Sequence, residues 1–133
     1  PFGGEKLSVV LNVFKYKDFQ TAIDIVNACH EFSGKGHSCG IHTKSEERVM
    51  ELANKTYTAR VMVNQATCLV NSGSFSNGMP FTLSIGCGTW GGNSASENIT
   101  WRQCVNNTWV ARPCKENKPS DEVLFGDAMK TDL

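Results

Sequence analysis

The chain has 133 residues, 40% of them hydrophobic, which is the size of one ordinary domain and enough apolar material to expect a core buried without covalent staples. Thirteen Lys and Arg balance thirteen Asp and Glu, and no segment carries a run of like charges, so a nucleic-acid or anionic-membrane partner gets no electrostatic support. No apolar stretch reaches the roughly 18 residues of a spanning helix, and the opening Pro-Phe-Gly-Gly lacks the parts of a signal peptide; a soluble, cytoplasmic protein is expected.

In chain order, residues 8–14 (SVVLNVF) are nearly continuous apolar and β-branched, which predicts a strand buried on both faces, as in parallel sheets. Residues 18–32 change period: Phe19, Ala22, Ile23, Val26 and Cys29 recur at helical spacing, Asp18 is placed to cap the start, and Gly34 with Gly36 ends the run. Residues 38–43 read as a short strand. Thr43 and Glu46 then have capping-box spacing ahead of a second helix, roughly 45–57, with Val49, Met50, Ala53 and Tyr57 on one stripe. Residues 59–65 (ARVMVNQ) close a βαβαβ unit, so the expected fold is α/β, a parallel sheet with helices on its faces and right-handed crossovers.

From residue 66 to 80 the chain turns to Asn, Ser and Gly without period, a loop long enough to line something. Beyond it a short helix at 100–106 and a strand at 108–112 carrying Trp109 are expected. Before Pro113 the latter suits an edge strand covered by a second subunit. The tail, 115–133, mixes charge, Pro119 and the apolar cluster Val123, Leu124 and Phe125.

Six cysteines and three sequons, at Asn54, Asn98 and Asn106, raise the alternative of a secreted, glycosylated disulfide domain. Six thiols in 133 residues fall below the roughly 8–10% of a disulfide scaffold. Cys29 and Cys39 also sit inside periodic apolar segments, where free cysteine acts as a small hydrophobe, so reduced thiols are expected. No C-x-x-C pair exists, and His30, His37 and His42 lack ligand partners at a usual spacing; no metal is expected.

Gly86-Cys87-Gly88-Thr89-Trp90-Gly91 spells G-x-G-x-x-G. That pattern holds a dinucleotide only where a strand feeds the glycines into a helix and an acidic residue follows about 20 positions on. Here Gly91-Gly92-Asn93-Ser94 makes a poor helix start, and Ala111-Arg112-Pro113-Cys114 supplies no carboxylate, so the loop needs another task.

Three separated stretches, PFGGEKLSVVL, GKGHSCGIHT and TLSIGCGTWGGNSASEN, together resemble the catalytic domain of coenzyme A-acylating aldehyde dehydrogenases, over residues 1 to about 113. EKLSVVL looks like a variant of the family's E-x-F-G-P-V, with Leu7 in place of the aromatic and Val9 in place of proline. The resemblance implies residues 1–113 as the C-terminal portion of a catalytic domain and 114–133 as a tail. It also implies that NAD(P) binds on a separate N-terminal domain this chain does not contain. In such enzymes a cysteine thiolate attacks a short aldehyde, hydride leaves to NAD(P)+, and coenzyme A takes over the resulting thioester. That cysteine precedes the matched stretches in family members, so none of the six thiols here inherits the role. The chain alone is expected to be inactive.

Residue by residue, the resemblance assigns Glu5 to the cofactor ribose, whose hydroxyls a carboxylate can accept from. It assigns His37, at the mouth of a strand, as the base near the nucleophile. Asn64 and Phe81 stand at the family's VN and PF elements. Gly88, Trp90 and Asn93 would shape the wall near substrate or coenzyme A, although glycines that let two backbones pack explain that loop equally. Cys39, two residues from His37, is not expected to form a dyad with it, because i and i+2 side chains stand side by side along a strand. Acetaldehyde, succinate semialdehyde and sulfoacetaldehyde remain open as substrates; the anionic ones want an arginine, for which Arg60, Arg102 and Arg112 are candidates. A homo-oligomer is expected. The competing alternative is a non-catalytic α/β assembly module.

Overall fold

The computed structural model describes residues 3, 4 and 6–130. Its centre is a β-α-β unit. Strand β1 (Cys39–Ile41) and strand β2 (Val61–Val63) run parallel, with Cys39 opposite Val61, Gly40 opposite Met62 and Ile41 opposite Val63. Helix α2 (Glu46–Lys55) makes the connection, and helix α1 (Phe19–Ser33) precedes β1. The α/β class expected from the alternation of periods is the class observed.

Helix α1 follows its local signals. Asp18 accepts from the Thr21 amide and hydroxyl, both at 2.8 Å, and the two contacts hold its carboxyl below the usual range. Gly34, at φ +114°, closes the other end by donating to the His30 carbonyl at 2.8 Å. Ile23, at the centre of the expected stripe, is 1% exposed. Asn27 of α1 donates to the Lys55 carbonyl at 2.8 Å and Gln20 accepts from Lys55 Nζ at 2.7 Å, which ties α1 to the end of α2.

Helix α2 corrects two expectations. Its N-cap is Ser45, accepting from the Arg48 amide at 3.3 Å, while Thr43 Oγ1 accepts from the Ser45 amide one step earlier, so the proposed capping box is not formed. Its buried face carries Leu52 with Val49 partly covered, whereas Met50, Ala53 and Tyr57 are exposed. The covered line runs i, i+3, i+7 through Val49, Leu52 and Thr56, a narrower face than the one read from apolar spacing.

Two expected strands are absent. Residues 8–14 form no ladder, and Val9, Leu11 and Val13 are exposed; residues 108–112 are irregular, with Trp109 93% exposed. Both have strand composition, but a strand exists only where a neighbour accepts its hydrogen bonds, and neither meets one among the described residues. The sheet is therefore two-stranded, not three. The substantial core expected from length is also not found: Ile23, Leu52 and Met62 are the buried hydrophobics among the described residues, and much of the apolar content faces outward.

The loop 66–80 begins with a four-residue helix, α3 (Thr67–Val70), which its composition concealed. Residues Trp101–Cys104 form a 3-10 turn inside the expected helix 100–106, capped by Thr100 in a complete box with Gln103. In the tail, helix α4 (Asp121–Phe125) leads into a 3-10 segment, Gly126–Lys130. No helix among the described residues is long and apolar enough to cross a membrane.

Candidate functional site

The glycine stretch is the turn of a hairpin, not the mouth of a helix. Ile85 and Asn98 form an antiparallel bridge; the Gly86 amide donates to the Glu97 carbonyl at 2.9 Å and that of Gly88 to Ala95 at 2.8 Å. Between the two arms lies a three-residue 3-10 turn, Thr89–Gly91, far too short to present a helix terminus to a phosphate. Asn93 organises the turn: its Oδ1 accepts from the Cys87 amide at 2.8 Å and its own amide donates to Gly88 at 2.9 Å. Gly88, Trp90 and Asn93 thus come together around a cavity of about 240 Å³.

This hairpin rests on the segment that carries His37. Gly36 is buried at φ +93°, in register with Thr58 beside β2, and a Cβ there would overlap the Cys87 carbonyl oxygen and come within 2.8 Å of Cys87 Cβ. From the other side, a Cβ on Gly91 would lie 2.5 Å from Cys87 Cβ. The glycines are therefore what lets the two backbones touch, the packing alternative left open by the sequence.

A cation locks the contact. Arg60 is 6% exposed, and its guanidinium donates to Asn98 Oδ1 at 2.7 Å, to the His37 carbonyl at 3.0 Å and to the Gly86 carbonyl at 2.9 Å. Burial lowers its pKa, an effect that the nearby Cys87 opposes, although guanidinium stays charged throughout. Asn98, itself 5% exposed, passes the connection on through Nδ2 to the Pro80 carbonyl at 2.8 Å and the Asn71 carbonyl at 3.2 Å. An asparagine so enclosed is no glycan acceptor in this fold. The sequence offers Arg60 only as an anion partner, and Asn98 only as a sequon and as the end of a resembling stretch, because nothing local reveals which distant carbonyls a side chain will reach.

The His37 side chain is exposed, with Nδ1 2.7 Å from Ser38 Oγ, while Cys39 turns its sulfur toward Thr56 and Thr58, so the two do not pair. His37 and Ser38 line a cavity of about 760 Å³ between Gly3, Gly4 and residues 6–12 on one side and the end of α1 on the other. His30, which sequence reasoning left without a role, lines it too. Its Nδ1 is buried without a partner. Burial depresses the pKa of His30, a hydrogen bond with the Ser38 backbone works against this, and His37 adds to the lowering.

The sign of this shift sets a pH dependence. A folded pKa below the unfolded value means that the unfolded chain binds more protons, so the stability His30 contributes is present above about pH 6.5 and is lost as pH falls through the folded pKa. Thermal melts should therefore show stability dropping from pH 7.5 to pH 5.5, with a smaller drop in His30→Gln. An equal drop in both proteins would show that His30 is not the responsible group.

The remaining assigned residues stand apart. Asn64 follows β2 at its carboxyl end with φ +55°, its amide clasping both backbone groups of Thr43, at 2.9 and 2.8 Å. His37 lies before β1, at the opposite end of the sheet. Phe81 meets Phe75 edge to face at 4.8 Å and lines a third cavity, about 490 Å³, with Trp101 and Arg102. Arg102 sits over the Trp101 ring at 5.7 Å, and Arg112 is exposed. Of the three candidate anion partners, Arg60 has its guanidinium occupied internally. Glu5 lies outside the described residues. No cluster of three or more His, Cys, Asp or Glu among the described residues could hold a metal ion.

Comparison with known proteins matches residues 4–82 to the aldehyde dehydrogenase family. The chain is 48% identical over 97% of its length to a sulfoacetaldehyde dehydrogenase of Acholeplasma sp, covering 27% of that protein. It is 45% identical over 96% of its length to an acylating sulfoacetaldehyde dehydrogenase of Cupriavidus necator, covering 26% of it. An acetylating succinate-semialdehyde dehydrogenase of Clostridium kluyveri is 37% identical over 92% of the chain, which covers 27% of that enzyme. Among solved structures, an acetylating aldehyde dehydrogenase from Geobacillus thermoglucosidasius aligns with a TM-score of 0.78 at 29% identity, over 90% of this chain and 26% of that one. The chain thus spans about a quarter of the length of the relatives it matches.

Proposed function

Because the chain belongs to the aldehyde dehydrogenase family, we propose that it supplies the C-terminal portion of a catalytic domain in an acylating enzyme that converts a short aldehyde to a coenzyme A thioester. The carrying observation is spatial. Two of the stretches that bear the resemblance, around His37 and around Gly88, are distant in sequence yet packed together through Gly36, Cys87 and Arg60.

In this reading His37 takes the proton from a thiol, either the cysteine nucleophile or coenzyme A, and the cavity of about 760 Å³ is the space it addresses. Gly88, Trp90 and Asn93 shape one wall toward substrate or coenzyme A, Asn64 holds the far end of the sheet in place, and Phe81 lines an outer part of the approach. NAD(P)+, when bound, supplies the hydride acceptor. The described glycine hairpin does not fit a dinucleotide phosphate, so among the assigned residues the chain's contribution toward the cofactor rests on Glu5.

The nucleophile and the cofactor domain lie outside this sequence in this reading, and a covering domain and a second subunit would account for the outward apolar surface, including Leu7, Val9, Leu11 and Trp109. Sulfoacetaldehyde is the favoured substrate, since relatives at 48% and 45% identity bear that name. A cytoplasmic setting suits six unpaired thiols.

The test is an assay of acyl-coenzyme A formation with sulfoacetaldehyde, succinate semialdehyde or acetaldehyde, plus NAD+ or NADP+ and coenzyme A. The complete enzyme should form the thioester and favour sulfoacetaldehyde; the 133-residue chain by itself should form none. Thioester produced by the chain alone would mean that one of its own cysteines is the nucleophile. Oxidation of aldehyde to free acid, indifferent to coenzyme A, would remove the acylating assignment.

A further inference from the structure

The three hydrogen bonds of Arg60 end in three different segments: the backbone of His37, the first arm of the glycine hairpin at Gly86, and Asn98 on the second arm. Asn98 extends the same network to Asn71 and to Pro80, the residue before Phe81. Every described segment carrying an assigned side chain, apart from that of Asn64, is held through this one pair. Among the described residues Arg60 has no salt-bridge partner; its hydrogen bonds go to two backbone carbonyls and a neutral amide.

Burying a cation against neutral acceptors is costly, and apolar packing serves plain cohesion at least as well. What a guanidinium offers instead is a rigid planar fork that reaches several acceptors in fixed directions and keeps its charge across the working pH range. Lysine, a single point donor on a flexible stem, cannot hold all three acceptors in that geometry.

We infer that Arg60 is a positioning residue for the reaction: its buried guanidinium, with Asn98 as second anchor, sets the backbone of His37 relative to the glycine hairpin. The inference rests on the assignment of His37 as base. Gly36 makes the hairpin and the His37 segment touch, and Arg60 determines where along that contact His37 stands. One of its hydrogen bonds is to the carbonyl of His37 itself, so loss of the fork shifts the base relative to the hairpin while leaving the imidazole chemically intact.

The test uses Arg60→Lys, Asn98→Ala and the double variant in the complete enzyme, with two readouts. The first is the imidazole NMR resonance of His37, identified by its loss in His37→Ala, which needs no turnover. The second is kcat and KM. Arg60→Lys should move the His37 resonance and lower kcat on the order of 100-fold, the effect of roughly an ångström of misplacement. KM for the aldehyde should change much less than kcat, because the base acts in the transition state while the hairpin wall keeps its own internal hydrogen bonds. The double variant should be little worse than the poorer single one, as expected for partners in one network. Should Arg60→Lys fail to fold, Asn98→Ala, which removes the Nε acceptor together with the links to Asn71 and Pro80 but leaves the Arg60 bonds to His37 and Gly86, carries the same decision. A variant with reduced melting temperature but parental kcat and an unmoved His37 resonance would reduce Arg60 to a packing element. If the parent oxidises no aldehyde, the proposed function fails, and the resonance comparison still decides the role of Arg60.

Discussion

Alanine at Gly36 should destabilise the protein by about 2 to 5 kcal/mol, combining a left-handed backbone penalty with overpacking. Both contributions come from the local geometry: φ is +93°, and the added methyl would overlap the Cys87 carbonyl oxygen, a backbone atom that no rotamer change can move aside. The neighbouring Gly34 provides the control. It has φ +114°, but a methyl added there would meet nothing within 4 Å, so Gly34→Ala carries the backbone penalty without the collision. Against a total stability typically near 5 to 15 kcal/mol, Gly36→Ala should lower the melting temperature by on the order of 10 °C, clearly more than Gly34→Ala. Differential scanning calorimetry of the pair decides it. Equal losses in both variants would mean that the hairpin does not press on Gly36 in solution.

The same position separates what was legible in the sequence from what was not. Helix α1 could be read because its determinants are local: an Asp18 cap, a glycine stop and an apolar stripe centred on Ile23. The parallel pairing of β1 and β2 followed from a helix of the right length between two short strand segments. Residues 8–14 and 108–112 have the same strand composition, yet they stay unpaired, because pairing is a property of the neighbour and not of the segment. The cap of α2 shifted from Thr43 to Ser45 by a competition between adjacent hydroxyls that spacing does not resolve.

The site divides along the same line. That Gly86 to Gly91 opens no helix was readable from the residues that follow, and the hairpin agrees. His37 was assigned through resemblance alone. Its anchoring was not legible, since Arg60 lies 23 residues away and Asn98 a further 38 beyond, and an arginine in a β-branched run looks like a surface charge until the fold encloses it. Gly36 and Asn98 lie inside stretches that carry the resemblance, but Arg60, which joins them, lies outside every one.

Replacing His37 by alanine should lower turnover of the complete enzyme by about 100-fold to 10,000-fold, the usual contribution of a general base. The need is chemical: an ordinary thiol near pKa 8.5 is only a few per cent thiolate at neutral pH, and imidazole accepts a proton in that window. The geometry suits the role. With Nδ1 2.7 Å from Ser38 Oγ, the tautomer that donates from Nδ1 to the hydroxyl leaves the Nε2 lone pair as the base. Because the ring is exposed and its backbone is held by Arg60 through the carbonyl, the alanine variant loses only the bond to Ser38 Oγ, keeps the backbone contacts that fix the segment, and should fold normally. Asparagine restores a hydrogen-bonding group without a base and should recover little turnover. Steady-state rates for the three proteins make the comparison, and an alanine variant within a few-fold of the parent would return His37 to the ordinary exposed histidines.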